Sequence, residues 1–152
     1  MTEPYDSTAD TQAHINRVAR YLMLVVENLR QRAVVHDASK LESPEKDAFD
    51  VLTPRLKGLT YGSDEYKACL REMKTPLEHH YAANSHHPEH FANGVAGMSL
   101  FDVVEMLMDW KAASERHADG DIWGSIVHNT ERFGLEPQIA DVLRNTAREM
   151  GW

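Results

Sequence analysis

Histidine and carboxylate side chains fall into four groups along this 152-residue chain. They are His14; the adjacent pair His36-Asp37; the set His79, His80, His86 and His87; and Asp109, with Asp102 and Glu105 before it. Five of the nine histidines lie between His79 and His90, a concentration that an ordinary solvated surface does not produce. Neutral imidazole together with carboxylate is a donor set for zinc, manganese, iron, nickel or cobalt. Asp109 sits in the apolar stretch VVEMLMDW, where a carboxylate is at least partly buried and costly unless paired or bound to metal. Glu105 precedes it by four residues, so the two share one helical face. One or two divalent ions held by such donors would activate water near neutral pH and polarise a phosphoryl oxygen. Lys40 follows Asp37 by three residues, about one helical turn, and Arg17 follows His14 by three. Each could place a positive charge on a phosphate in the same cleft.

Plainer roles belong to several neighbours. Adjacent residues on a helix diverge by about 100°, so only one of His79 and His80 faces a metal. We assign His80 as the ligand and His79 as a supporting or solvent-facing residue. His90 reads as a supporting loop residue. Glu105 reads as an acceptor that orients a ligand imidazole. Asp102 reads as a helix cap, and Asp10 as a cap rather than an extra ligand. His117 and His128 are isolated and read as structural or exposed. Trp110, Trp123 and Trp152 read as packing residues.

The elements that must position these groups read as helices throughout. Ile15, Val18, Leu22, Val25 or Val26, and Leu29 recur at amphipathic spacing and predict a helix from Thr11 to about Arg32, capped by Asp10 or Thr11. A second helical piece, Ala33 to Leu41, would carry His36 and Asp37. Ser43-Pro44-Glu45 resembles a helix start, with Ser43 as cap and Pro44 first in a helix reaching about Leu56. Thr60 to Ser63 reads as a loop with Ser63 a cap. The next stripe, Tyr66 to Tyr81, contains Pro76, which predicts a kink or break. Asn84 to Gly97 is aperiodic and reads as a functional loop. A helix from Ser99 to about His117 has Ser99 and Asp102 at capping-box spacing. Helices over about 122–133 and 137–150 complete the chain.

Length and composition predict one all-α domain of about six or seven helices over residues 1–152. One cysteine, Cys69, cannot form an internal disulfide, which fits a reducing cytoplasm. The polar, acidic start has no signal-peptide pattern, and no apolar run approaches the ~20 residues of a membrane span. The formal charge of −8 argues against non-specific nucleic-acid binding. It leaves room for a small phosphorylated ligand, because a metal inverts the local charge. A homodimer would accord with the prevalence of symmetric oligomers, although no residue pattern fixes one.

The segments HINRV and VVHDASKL resemble the opening of the HD superfamily of metal-dependent phosphohydrolases. There one helix bears the first His and a later one the adjacent His-Asp. HDASK is similar to the frequent HD-Gly-Lys form, with Ser39 where Gly is common. His79-His80, SHHPEHF and EMLMDW look like the later His, His and Asp elements of two-metal members, so the resemblance spans roughly residues 11–117. The set is also similar to a phage and bacterial family, catalogued only as a domain of unknown function, with HD-x-SK, HHP-E-H and EM-x-x-DW segments.

The resemblance implies an HD-like bundle with a first metal on His14, His36, Asp37 and Asp109. Asp37 would bridge to a second metal served by His80 and by His86, His87 or both. It implies hydrolysis of a nucleotide or other small phosphate ester, with Asp37, Lys40 and Arg17 at the reacting centre. Two alternatives share the donors: an HD-type di-iron oxygenase, and a non-catalytic metal-binding or interaction module.

Overall fold

The computed structural model describes residues 5–59, 63–116 and 120–152, and these are all-helical, with no strand among them. The chain divides into two compact units, Met1–Val35 and His36–Trp152. No helix among the described residues is long and apolar enough to cross a membrane.

The described residues of the first unit form one 28-residue helix, α1, Thr8–Val35, preceded by a short non-helical lead-in. It starts ahead of the expected Thr11 because the Asp6 carboxylate accepts the Thr8 N–H at 2.9 Å, taking the capping role assigned to Asp10 or Thr11. The expected apolar stripe is present, yet no residue of α1 is buried, and Ile15, Val18 and Leu22 are exposed. Local pairs at helical spacing support it: Arg30 donates twice to Glu27, and Gln31 donates to the same carboxylate.

The expected separate helix over 33–41 does not form, and residues 33–35 instead end α1. His36 and Asp37 lie in a turn, and only Ala38–Leu41 coils again, as a 3-10 turn. The cause is Asp37, whose φ of 55° is left-handed, a conformation that Asp tolerates better than most residues. A cis Ser43-Pro44 bond then leads into α2, Glu45–Lys57. Pro44, not Ser43, occupies the cap position, and no side chain caps this end. Pro54 is accommodated inside α2.

Ser63 caps α3, Asp64–Glu72, its side chain accepting the Tyr66 N–H; the rest of the expected 60–63 loop lies outside the described residues. The break between α3 and α4, Lys74–Ala83, falls at Met73, three residues before Pro76. Pro76 thereby sits in the first turn of α4, where a missing N–H leaves no intrahelical bond unmade. Two short 3-10 turns, Pro88–His90 and Gly94–Gly97, organise the following loop. Gly97 is required there: a Cβ would come within 2.4 Å of Asn93 Oδ1 and 2.8 Å of Phe91 Cβ.

The capping box between Ser99 and Asp102 opens α5, Leu100–Ser114. Helix α6, Ile122–Phe133, follows an Asp121 cap and stops at Gly134, whose φ is 59°; α7, Pro137–Glu149, begins with proline at its first position. Met106, Leu107 and Trp110 of α5 pack with Ile122 and Ile126 of α6, Leu135, and Leu143 and Ala147 of α7 into the main core. Trp110 stacks on Phe133, and Trp123 and Trp152 pack against the same cluster, so all three tryptophans serve packing. A second group has α2 against α3, α4 and the 38–41 turn, with Cys69 buried beside Leu52.

Candidate metal centre

The centre lies within the second unit and draws on four pieces of chain. The left-handed Asp37 turns the backbone so that His36 and Asp37 face it from one side. Helix α4 brings His80, and the loop after α4 brings His86 and His87. Helix α5, whose Met106, Leu107 and Trp110 face the core, brings Glu105 and Asp109 from an adjoining face.

Three sets of donors converge closely enough to hold a cation: Asp37, His80, His86 and His87; His36, Asp37 and Asp109; and His36, His86 and Glu105. The first two share Asp37. Its Oδ1 lies 3.3 Å from His80 Nε2 and 3.4 Å from His86 Nε2. Its Oδ2 lies 3.7 Å from His36 Nε2, which is also 3.8 Å from Asp109 Oδ1. The two carboxylate oxygens of Asp37 thus face two different sets. His80 Nε2 and His87 Nε2 are 2.9 Å apart, and the His86 and His87 ring centroids lie 4.1 Å apart with the planes tilted by 43°.

The third set works differently. Glu105 Oε1 accepts from His36 Nδ1 at 2.9 Å and lies 3.2 Å from His86 Nδ1. A carboxylate accepts only, so a proton held at Nδ1 leaves Nε2 as the lone-pair nitrogen turned to Asp37 and Asp109. Glu105 therefore has the geometry of an orienting acceptor.

Two polar atoms at the middle of the cluster are buried without a hydrogen-bond partner: Asp37 Oδ1 and His86 Nε2. Native proteins seldom leave such atoms unsatisfied, and each merits a physical explanation. Here both atoms are good cation ligands, and the surrounding donors are all imidazole or carboxylate. The residues present fit a divalent transition metal.

The electrostatics agree. Burial raises the Asp37 carboxyl, but His80, His86 and Lys40 outweigh it and hold it well below the carboxylate range. Asp109 is likewise lowered: burial opposes, and the His36 interaction prevails. Asp109 together with Glu105 raises His36 to about 9 against the opposing effect of burial. Burial, with His86 and His80 beside it, pushes His87 down to about 3, so it is a neutral imidazole with a lone pair to give.

Lys40 Nζ donates to Asp37 Oδ2 at 2.6 Å, so it does face the cluster. His79 misses the cluster and bonds to Glu45 at 2.8 Å. His90 is exposed and donates from Nδ1 to the Tyr81 carbonyl, outside all three donor sets. Asp102 is a cap, and it also accepts from Ser85 at 2.6 Å, pinning the loop beside His86. His128 is exposed, and His117 lies outside the described residues. His14 and Arg17 are exposed on α1 in the other unit, and His14 enters none of the three donor sets.

Sequence reasoning missed Glu45, Ser39 and Asn84. Glu45 was visible only as an acid at a helix start, yet it is fully buried and bonds to both His79 and His80. No local pattern links it to residues more than thirty positions away.

No curated protein and no solved structure matches this sequence. A family model matches residues 3–149, nearly the whole chain, which therefore belongs to the family of unknown function DUF5662.

Proposed function

We propose that this protein is a metal-dependent phosphohydrolase acting on a nucleotide or another small phosphate ester. The observation that carries the reading is the pair of buried, unpartnered donors, Asp37 Oδ1 and His86 Nε2, inside a cluster of imidazoles and carboxylates. The sequence resemblance to the HD superfamily supports the reaction class.

In this reading His80, His86, His87 and Asp37 would hold one cation, and His36, Asp37 and Asp109 would hold a second. Bound divalent cations supply Lewis acidity, which activates water near neutral pH and polarises a phosphoryl oxygen. The chain's own residues do the rest. Glu105 keeps protons on Nδ1 of His36 and His86, so both rings present Nε2. Lys40, partly exposed beside Asp37, is the group placed to neutralise a phosphate oxygen. Asp37, Asp109, Glu105 and Glu45 outweigh the Lys40 charge and make the cluster's own side chains formally negative; two divalent cations would turn it positive and attract an anionic substrate.

The test is elemental analysis of untagged protein together with phosphate release from a nucleotide panel, for the wild type and for His36→Ala and Asp37→Asn. We expect about two equivalents of zinc, manganese or iron and a metal-dependent release of phosphate. Both should fall in the variants, the rate by at least ~100-fold. Metal without hydrolysis of any phosphate ester would overturn the reaction class. Oxygen consumption by an iron-loaded protein would point to an oxygenase instead. No metal, even after reconstitution, would overturn the reading entirely.

A further inference from the structure

Outside the residues that would touch a cation, one acidic side chain is buried for no evident packing reason. Glu45 opens α2 and has no exposed surface. A buried carboxylate is costly unless it is paired and hydrogen-bonded. Glu45 meets that condition with three donors: Nδ1 of His79 at 2.8 Å, Nδ1 of His80 at 2.9 Å, and the Ser39 hydroxyl at 3.0 Å. Asn84 closes the arrangement, its amide donating to Ser39 Oγ and to the His80 carbonyl, both at 2.8 Å. One carboxylate therefore ties the 38–41 turn, α2 and α4 together at the back of the His80 ring.

The consequence for His80 is chemical. An ionised carboxylate can only accept, so the short Glu45 contact requires a proton on His80 Nδ1. The other nitrogen, Nε2, is then the lone-pair nitrogen, and it faces Asp37 Oδ1 at 3.3 Å and His87 Nε2 at 2.9 Å. This repeats on α4 the arrangement that Glu105 makes with His36 and His86. Because His80 is itself buried, the ring cannot turn to water for an alternative partner.

We propose that Glu45 is a positioning residue that fixes the tautomer and orientation of His80, so that His80 Nε2 is presented as a metal ligand. The assignment rests on the metal-centre reading above and identifies what builds its His80 side. Ligand histidines backed by such an acceptor bind metal about 10- to 100-fold more tightly than those without it. Ser39 shares Glu45 Oε2 with His80, while His79 occupies Oε1.

Two measurements test it. The first uses metal-free wild-type protein labelled with ¹⁵N-histidine and reads ring-nitrogen shifts by long-range proton–nitrogen correlation. His80 should carry its proton on Nδ1, and its Nε2 resonance should move when zinc is added. A proton on Nε2, or an Nε2 signal indifferent to zinc, would overturn the assignment without any variant having to fold. The second titrates cobalt(II) or zinc into wild type and Glu45→Gln by calorimetry, with the amide spectrum as the check on folding. We expect a 10- to 100-fold weaker affinity in Glu45→Gln and a mixture of His80 tautomers. Equal affinity in a folded Glu45→Gln would overturn the role of Glu45 and leave the metal centre standing, whereas a wild type that takes up no metal would overturn both.

Discussion

At the scale of single residues, Asp37 and Lys40 form the most informative pair. The Asp37 carboxylate is shared between two donor sets, and the Lys40 ammonium sits 2.6 Å from the oxygen that serves the second. Lys40 is thus a resident cation where a metal would bind. Replacing it has opposite effects on binding and on rate. In Lys40→Met, Asp37 Oδ2 loses its competitor, so the second equivalent of zinc or manganese should bind several-fold more tightly. Phosphate release should fall by roughly 10- to 100-fold, because the positive charge facing the substrate is gone. Calorimetry and a phosphate assay on one preparation check both; weaker metal binding in Lys40→Met would contradict the arrangement. Ser39 also gains a reason at this scale. Its hydroxyl donates to Glu45 and accepts from Asn84.

At the scale of elements, the capping box of α5 links helix stability to the site. Asp102 Oδ2 accepts from the Ser99 N–H at 2.8 Å, while its Oδ1 accepts from Ser85, next to His86. Ser99→Ala removes the hydroxyl that caps Asp102 N–H and should cost about 1 kcal/mol in urea unfolding. Asp102→Ala also strands Ser85 and should cost about 2–3 kcal/mol. Only Asp102→Ala should weaken metal binding, since it alone frees the loop that carries His86 and His87; equal metal affinities in the two variants would sever that link. The same helix shows how far local sequence reaches. The capping box, the Glu105–Asp109 face and the Ser63 cap are encoded within four residues, and all stand in the structure where spacing placed them. The break near Pro76 came three residues early, because proline fits a first helical turn better than it ends one. The turn at His36-Asp37 was not legible as such. The apolar spacing runs on through Val34 and Val35, and nothing in it marks the left-handed conformation of Asp37. Glu45 was hidden for a related reason: its partners come from α4, and pairing across elements leaves no periodic trace.

At the scale of the whole molecule, the cluster makes stability depend on pH, and metal should remove that dependence at its alkaline edge. In the metal-free protein His36 is raised to about 9, from an ordinary value near 6.5, by Asp109 and Glu105. A group whose folded pKa is raised contributes stability that is fully present below the unfolded value and is lost as pH rises through the folded one. Chelated protein should therefore lose on the order of 2 kcal/mol between about pH 6.5 and 9 from this group. The carboxyls of Asp37, Asp109 and Glu45 are lowered instead. Their contribution is present above the ordinary carboxylate range and is lost as pH falls below it, so the chelated protein should be most stable between these edges. Cation binding needs His36 neutral, and raising the pH supplies that form. The gain in Tm on adding saturating zinc should thus be larger at pH 9 than at pH 6.5, in step with proton release measured by calorimetry in two buffers of different ionisation enthalpy. A zinc-induced gain that shrinks towards pH 9, with no proton released at pH 7, would remove His36 from the ligand set and leave the charged pair with Glu105 and Asp109 as its whole role.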